Sequence, residues 1–368
     1  MKTVTLAACL LPLILGAGVW AGSRPASTGV PATWDSKSAA AYLDQRMVWW
    51  AGWKPAARDH GTFCVSCHTT VPYALARPAL REALGEQTPS APELELLANV
   101  TKRVRMWSEV APAYAHDPSK VAESRGTESV LNAAILVSYD VPVRKLGPDT
   151  RTALDNMWGE QIQSGAARGA WPWLQFHNSP WEGDSQYYGA VLVALAVGRA
   201  PGHYQSAPGI RGHMKLLRSY LVRERQAQKL IDRVMLLDAS TEVSGLLTKA
   251  QQRAIADEAL SRQRADGGFS LSSFVGDWKR HDGTPLETKS DGYATGVVAL
   301  TLQQAGMRAD RPQLQRALAW LRQNQERSDG RWLAYSLNKQ RDLATDIGRF
   351  MSDAATAYAV LALEQAQR

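Results

Sequence analysis

The sequence predicts an all-α protein, an (α/α)6 toroid of six helical hairpins, and two patterns predict it. Six segments rich in Ala, Leu and Val recur at Cys67–Leu84, Gly126–Tyr139, Asp184–Val197, Leu230–Leu246, Ser290–Ala305 and Ser352–Ala366, with starts 59, 58, 46, 60 and 62 residues apart. Such a period signals repeated supersecondary units. Six more polar segments alternate with them: Ser36–Trp50, Pro92–Trp107, Pro148–Gln161, Arg211–Arg225, Thr248–Gln263 and Arg311–Gln325. Leu314, Leu318 and Leu321 show their one-sided helical stripe. Helices apolar all round belong inside, and one-sided helices cover them.

Composition sets outer limits. The chain has 368 residues, 45% of them apolar and 21% charged, which excludes wholesale disorder. Its net charge of +7 (42 basic against 35 acidic residues) is spread along the chain without a Lys/Arg run. That excludes a nucleic-acid patch as the leading reading.

The elements follow in order. Lys2 precedes an apolar run from Val4 to Ala21, closed by Val19-Trp20-Ala21. This reads as a signal peptide over residues 1–21, followed by a polar linker over 22–35 and one domain over 36–368. An uncleaved membrane anchor through residues 4–21 is the alternative. An exported, periplasmic location is expected. Cleavage after Ala21 removes Cys9 and leaves Cys64 and Cys67 as the only cysteines.

Those two stand in Cys64-Val65-Ser66-Cys67-His68, the Cys-x-x-Cys-His attachment pattern of c-type haem. Two thiols add to the porphyrin vinyl groups, and the adjoining His68 reaches the iron from the proximal face. Haem c is attached outside the cytoplasmic membrane, which agrees with the export signal. A dithiol or disulfide pair and a zinc site are the competing readings.

Connectors from outer to inner helices are long and rich in Gly and Trp, and long loops on one face of a repeat structure mark its binding face. Cys64–His68 leads into the first inner helix, so the haem is expected at the mouth of the ring. Candidate sixth ligands are Met351, His116, His177 and His281, with His60 close in sequence and Met106 an outsider. Asp184, Asp291 and Asp353 fall in first turns of inner helices, with Glu128 in a similar place. They read as helix caps or as a ring of carboxylates.

Asp266-Gly267-Gly268-Phe269, Asp329-Gly330-Arg331-Trp332 and Gly169-Ala170-Trp171 each follow an outer helix bearing glutamine: Gln263, Gln323/Gln325 and Gln161/Gln163. This resembles the Gln…Gly-x-Trp repeat of squalene and oxidosqualene cyclases and of the wider terpene cyclase/prenyltransferase toroid group. The resemblance covers most of residues 36–368 and implies the toroid. It does not carry cyclase catalysis, because the acidic Asp-x-Asp-Asp cluster of that group is absent from the sequence. The zinc ligand set of protein prenyltransferases is absent as well.

Three functions are expected in turn. The first is an exported monohaem protein that passes electrons to a redox partner protein. The second is a haem oxidoreductase acting on a small apolar, isoprenoid-like molecule in the ring. The third is a non-haem toroid (a lyase, cyclase-like or binding module) with a Cys64–Cys67 disulfide.

Overall fold

The computed structural model describes residues 33–175 and 185–367. The expected signal peptide, most of the linker, His177 and Asp184 lie outside the described residues. Twelve α-helices are present among the described residues: α1 (Ser36–Gly52), α2 (Thr70–Leu84), α3 (Ala91–Arg105), α4 (Pro118–Val143), α5 (Pro148–Gly159), α6 (Gln186–Arg199), α7 (Arg211–Glu224), α8 (Leu230–Glu242), α9 (Lys249–Leu260), α10 (Gly292–Gln304), α11 (Pro312–Gln323) and α12 (Phe350–Gln365). Between α1 and α2 a two-residue hairpin pairs β1 (Ala57–Arg58) with β2 (Thr62–Phe63), antiparallel, Ala57 opposite Phe63.

The even-numbered helices pack in a closed circuit, α2–α4–α6–α8–α10–α12 and back to α2. They are the apolar segments. Every residue from Gly292 to Leu302 of α10 and from Met351 to Val360 of α12 is buried. The odd-numbered helices lie outside and bury one face each, as with Leu314, Ala317, Leu318 and Leu321 of α11.

The helix before Val130 starts earlier than its apolar pattern suggests. Residues 108–125 read as loop, yet α4 begins at Pro118. Asp117 caps it, accepting from Ser119 N at 3.0 Å, and Pro118 takes the first helical position. The added turns are polar and part-exposed, so hydrophobic periodicity misses them.

The glutamine–glycine motif is a seam between neighbouring outer helices. Gln161 Nε2 donates to Gly169 O (3.3 Å) and to His213 O in α7 (3.1 Å). Gln263 Nε2 donates to Gly267 O (2.8 Å) and to Gln313 O in α11 (2.7 Å). Gln325 Nε2 donates to Gly330 O (2.8 Å) and to Asp35 O, the cap of α1 (2.9 Å), and Asp35 N donates back to Gln325 Oε1 (2.8 Å). The last seam joins the two ends of the chain and closes the outer ring. Trp171 and Trp332 donate their indole N–H to Met157 O and Leu321 O of the preceding outer helices (2.6 and 2.7 Å).

Gly330 shows why the motif needs glycine. Its φ is +80°, and a Cβ there would lie 2.4 Å from the Ser38 carbonyl carbon of α1. Gly330→Ala is therefore expected to cost about 2–4 kcal/mol, combining left-handed strain with a backbone clash. Gly306, at φ +84° with open space around it, is the control. Gly306→Ala is expected to lower the thermal midpoint less than Gly330→Ala, and equal shifts would contradict the seam.

Candidate functional site

The Cys64–His68 segment runs from β2 into the first turn leading to α2. Ser66 organises that turn. Its Oγ accepts from Thr69 N (3.2 Å) and Thr70 N (3.1 Å), and Ser66 N donates to Thr70 Oγ1 (2.7 Å). A side-chain oxygen that takes the first free amides of a helix is a cap. Threonines on other inner helices hold loops in the same way: Thr127, Thr295 and Thr356 accept from Leu174 N, Phe269 N and Trp332 N at 2.9, 2.9 and 3.1 Å.

The strand side of the segment is held by its neighbours. Cys64 N donates to Ala56 O (2.8 Å), and Trp50 Nε1 donates to Cys64 O (2.7 Å). Asn99 of α3 brackets Phe63, its Oδ1 accepting from Phe63 N (2.8 Å) and its Nδ2 donating to Phe63 O (3.0 Å). Beneath lies buried Arg103. It pairs with Glu128 of α4 through Nε and Nη2 and donates to Thr62 Oγ1 (2.7 Å), Asp59 Oδ1 (3.2 Å) and Ala111 O (3.1 Å). One guanidinium thus fixes the hairpin, α3 and α4 together.

Neither Cys64, which is half-buried, nor Cys67, which is buried, is joined in a disulfide. Burial pushes the Cys64 thiol above its ordinary pKa. A redox dithiol needs the opposite shift.

His68 has its ring fixed on three sides. Phe350 stacks on it at 4.0 Å between centroids, and Trp50 meets it edge-on at 5.1 Å. Its Nδ1 is 2.9 Å from Thr69 Oγ1, and Thr69 Oγ1 donates to Asp353 Oδ2 at 2.8 Å. Since the threonine proton goes to Asp353, the bond to the histidine is donated by Nδ1–H. That tautomer puts the imidazole lone pair on Nε2. Burial, with the charges of Arg46 and Arg341, lowers the His68 pKa to about 3, so the ring is neutral at physiological pH. Asp353 is anchored in turn, accepting from Tyr42 OH (2.7 Å) and Arg46 Nε (2.8 Å) at Oδ1.

The other sequence candidates fall elsewhere. Met351 is buried in the first turn of α12, next to the Phe350 that touches His68. His116 and His281 are exposed in the loops before α4 and α10, and His60 is exposed in the turn of the hairpin at φ 54°. Met106 closes α3. The acidic residues are mostly satisfied inside the protein. Asp291 caps α10 and accepts from Leu271 N (2.6 Å) and Ala294 N (2.8 Å), while Glu128 and Asp353 hold arginines. Among the described residues no group of three His, Cys, Asp or Glu side chains is placed to hold a metal ion. Nor is any described helix long and apolar enough to cross a membrane.

No family model matches the chain, and no curated protein does. Its fold is similar to the crystal structure of unsaturated glucuronyl hydrolase, responsible for the degradation of glycosaminoglycan, from Bacillus sp. GL1. The two share 11% identity with a TM-score of 0.53, over 89% of this chain and 94% of that chain. The chain is an α/α toroid. At that identity the likeness shows the fold alone. Within the toroid, the Cys64–His68 segment and the loops before inner helices occupy the amino ends of the inner ring.

Proposed function

We propose that this toroid is an exported c-type haem protein, with haem joined covalently to Cys64 and Cys67 and held at iron by His68, and that it serves electron transfer or haem-dependent redox. The observation that carries the reading is His68 itself: a neutral imidazole directly after a Cys-x-x-Cys pair, with Nδ1–H donated to the Thr69–Asp353 relay and its lone pair at Nε2. That is the ligating form of histidine, oriented by a supporting hydrogen bond. The donor set also fits, because the two thiols are not consumed in a disulfide, and the His68 ring stands against Trp50 and Phe350, which Trp53 joins in one aromatic cluster.

A bound haem c supplies one-electron iron chemistry. The chain's own residues do the rest. Phe350 and Trp50 fix the plane of the imidazole. Thr69 fixes its tautomer. Asp353 keeps the threonine oxygen available as an acceptor, and Arg46 with Tyr42 keeps Asp353 in place. Ser66 holds the turn that spaces the two thiols.

The variant Cys64→Ala/Cys67→Ala tests the assignment. After expression with the export signal in a host that matures c-type haem, it is expected to lose all covalent haem. Its far-ultraviolet helix signal should be retained, because the turn is held by Ser66 rather than by sulfur. A variant that keeps haem through denaturation would overturn the attachment site.

A further inference from the structure

The relay behind His68 contains two residues that the repeat architecture does not require. Threonines of three inner helices hold loops by accepting a backbone amide: Thr127 from Leu174, Thr295 from Phe269 and Thr356 from Trp332. At the start of α2 the corresponding work falls to Thr70. It accepts from Ser66 N at 2.7 Å and donates to Ser66 O at 3.1 Å, as Thr356 donates to Ser352 O at 2.7 Å. Thr69 is therefore a second hydroxyl beside the architectural one. Three residues before the loop-holding threonine, α4 has Ser124, α10 has Gly292 and α12 has Asp353. The fold accepts a hydroxyl or a glycine at that place, so it does not demand a carboxylate.

Thr69 and Asp353 are 2% and 1% exposed, so bulk water does not compete at either. Asp353 divides its two oxygens. Its Oδ1 accepts from Tyr42 OH (2.7 Å) and Arg46 Nε (2.8 Å), and its Oδ2 accepts from Thr69 Oγ1 (2.8 Å). A group that takes three donors and returns none is an ionised carboxylate. Burial pushes its pKa up, and the Arg46 guanidinium is the counter-charge that keeps it ionised. Thr69 Oγ1 in turn accepts the His68 Nδ1–H at 2.9 Å. The charge on Asp353 strengthens the threonine oxygen as an acceptor. A stronger acceptor at Nδ1 makes Nε2 the more basic ligand.

We infer that Thr69 and Asp353 are positioning residues that hold the reduction potential of the His68-bound iron low, favouring the ferric state. The inference rests on the haem reading of Cys64, Cys67 and His68 and goes beyond it. Attachment needs only the two thiols and the imidazole, whereas the relay decides how readily the iron gives up its electron. A more basic axial ligand stabilises the higher oxidation state, and hydrogen bonding behind that ligand is one of the levers a protein has on it.

The test is a mediated redox titration of the exported full chain and its variants. Thr69→Val keeps the side-chain shape, removes the hydroxyl, and leaves Asp353, Arg46 and Tyr42 to one another. Its ferrous-to-ferric ratio at a fixed applied potential is expected to rise at least about tenfold, a shift of ~59 mV for one electron. Thr69→Ser restores the hydroxyl and should titrate close to the wild type. Asp353→Asn should shift the titration in the same direction, and should add less in the Thr69→Val background than it does alone. Loss of packing does not produce that order. A second readout needs no haem. In the Cys64→Ala/Cys67→Ala chain the His68 nitrogen resonances should report Nδ1 protonated, and adding Thr69→Val should raise the share of the Nε2–H tautomer. Covalent haem with an unchanged potential in Thr69→Val, a Thr69→Ser chain shifted as far as Thr69→Val, or an unchanged tautomer would overturn the inference and leave haem attachment standing. A wild-type chain without covalent haem would overturn both.

Discussion

Arg103→Ala is expected to lower the unfolding free energy by about 3–5 kcal/mol, because it leaves the Glu128 carboxylate buried without its partner. The loss is larger than for an ordinary ion pair. Arg103 also serves Thr62, Asp59 and the Ala111 carbonyl, so the β1–β2 hairpin loosens with it. Asp59 makes the point from the other side. Partial burial opposes its ionisation, yet the Ala111 amide and the Arg103 guanidinium hold its carboxyl below the ordinary value. Glu128→Gln in the Arg103→Ala background should restore part of the loss by removing the stranded charge. Denaturant unfolding checks both. A loss under about 1 kcal/mol for Arg103→Ala would mean that the network is not buried in solution.

Asp232→Asn is expected to stabilise the protein in alkaline solution and to leave it nearly unchanged in acid. The folded chain holds Asp232 at about 7 against an ordinary 3.8. A carboxyl whose folded pKa is raised binds its proton more tightly in the native state. Its contribution to stability is present below the unfolded value and is lost as pH rises through the folded one. Between pH 4 and 7 the native state therefore loses up to ~4 kcal/mol through this residue. Asparagine does not titrate, so the variant should gain on the wild type across that window and keep the gain at pH 8. Asp291, also raised to about 7 by burial, behaves differently. It accepts two backbone amides, so Asp291→Asn weakens a cap while removing a charge. Thermal midpoints at pH 5 and pH 8 distinguish the two. A wild-type advantage for Asp232 at pH 8 would contradict the desolvated carboxylate.

Much of the fold was legible because it is written locally. The alternation of all-apolar and one-sided helices needs only a window of one helix. Eleven of the twelve helix starts lie within about three residues of their apolar or amphipathic segments, and α4 is the exception because its first turns are polar. The Gln…Gly motif was legible as a repeat, and its physical role appeared only in three dimensions. Gln325 reaches Asp35 across 290 residues of sequence, and a pattern within one repeat does not contain that partner.

The candidate site divides in the same way. Cys64, Cys67 and His68 are adjacent, so their chemistry was readable from spacing. The relay behind His68 was not, because Asp353 joins Thr69 from 284 residues away. Asp353 looked like a helix cap and proves to be the buried anchor between Arg46, Tyr42 and Thr69. Phe350 carried no signal at all, since a phenylalanine at the start of a helix is common and only its stacking on His68 gives it a part.

The most direct measurement is the intact mass of the exported wild-type chain together with the pyridine haemochrome of the denatured protein. Attachment through Cys64 and Cys67 predicts a mass greater by one haem and the band position of a porphyrin joined by two thioethers. A chain of unmodified mass, colourless after maturation in a competent host, would contradict the haem assignment.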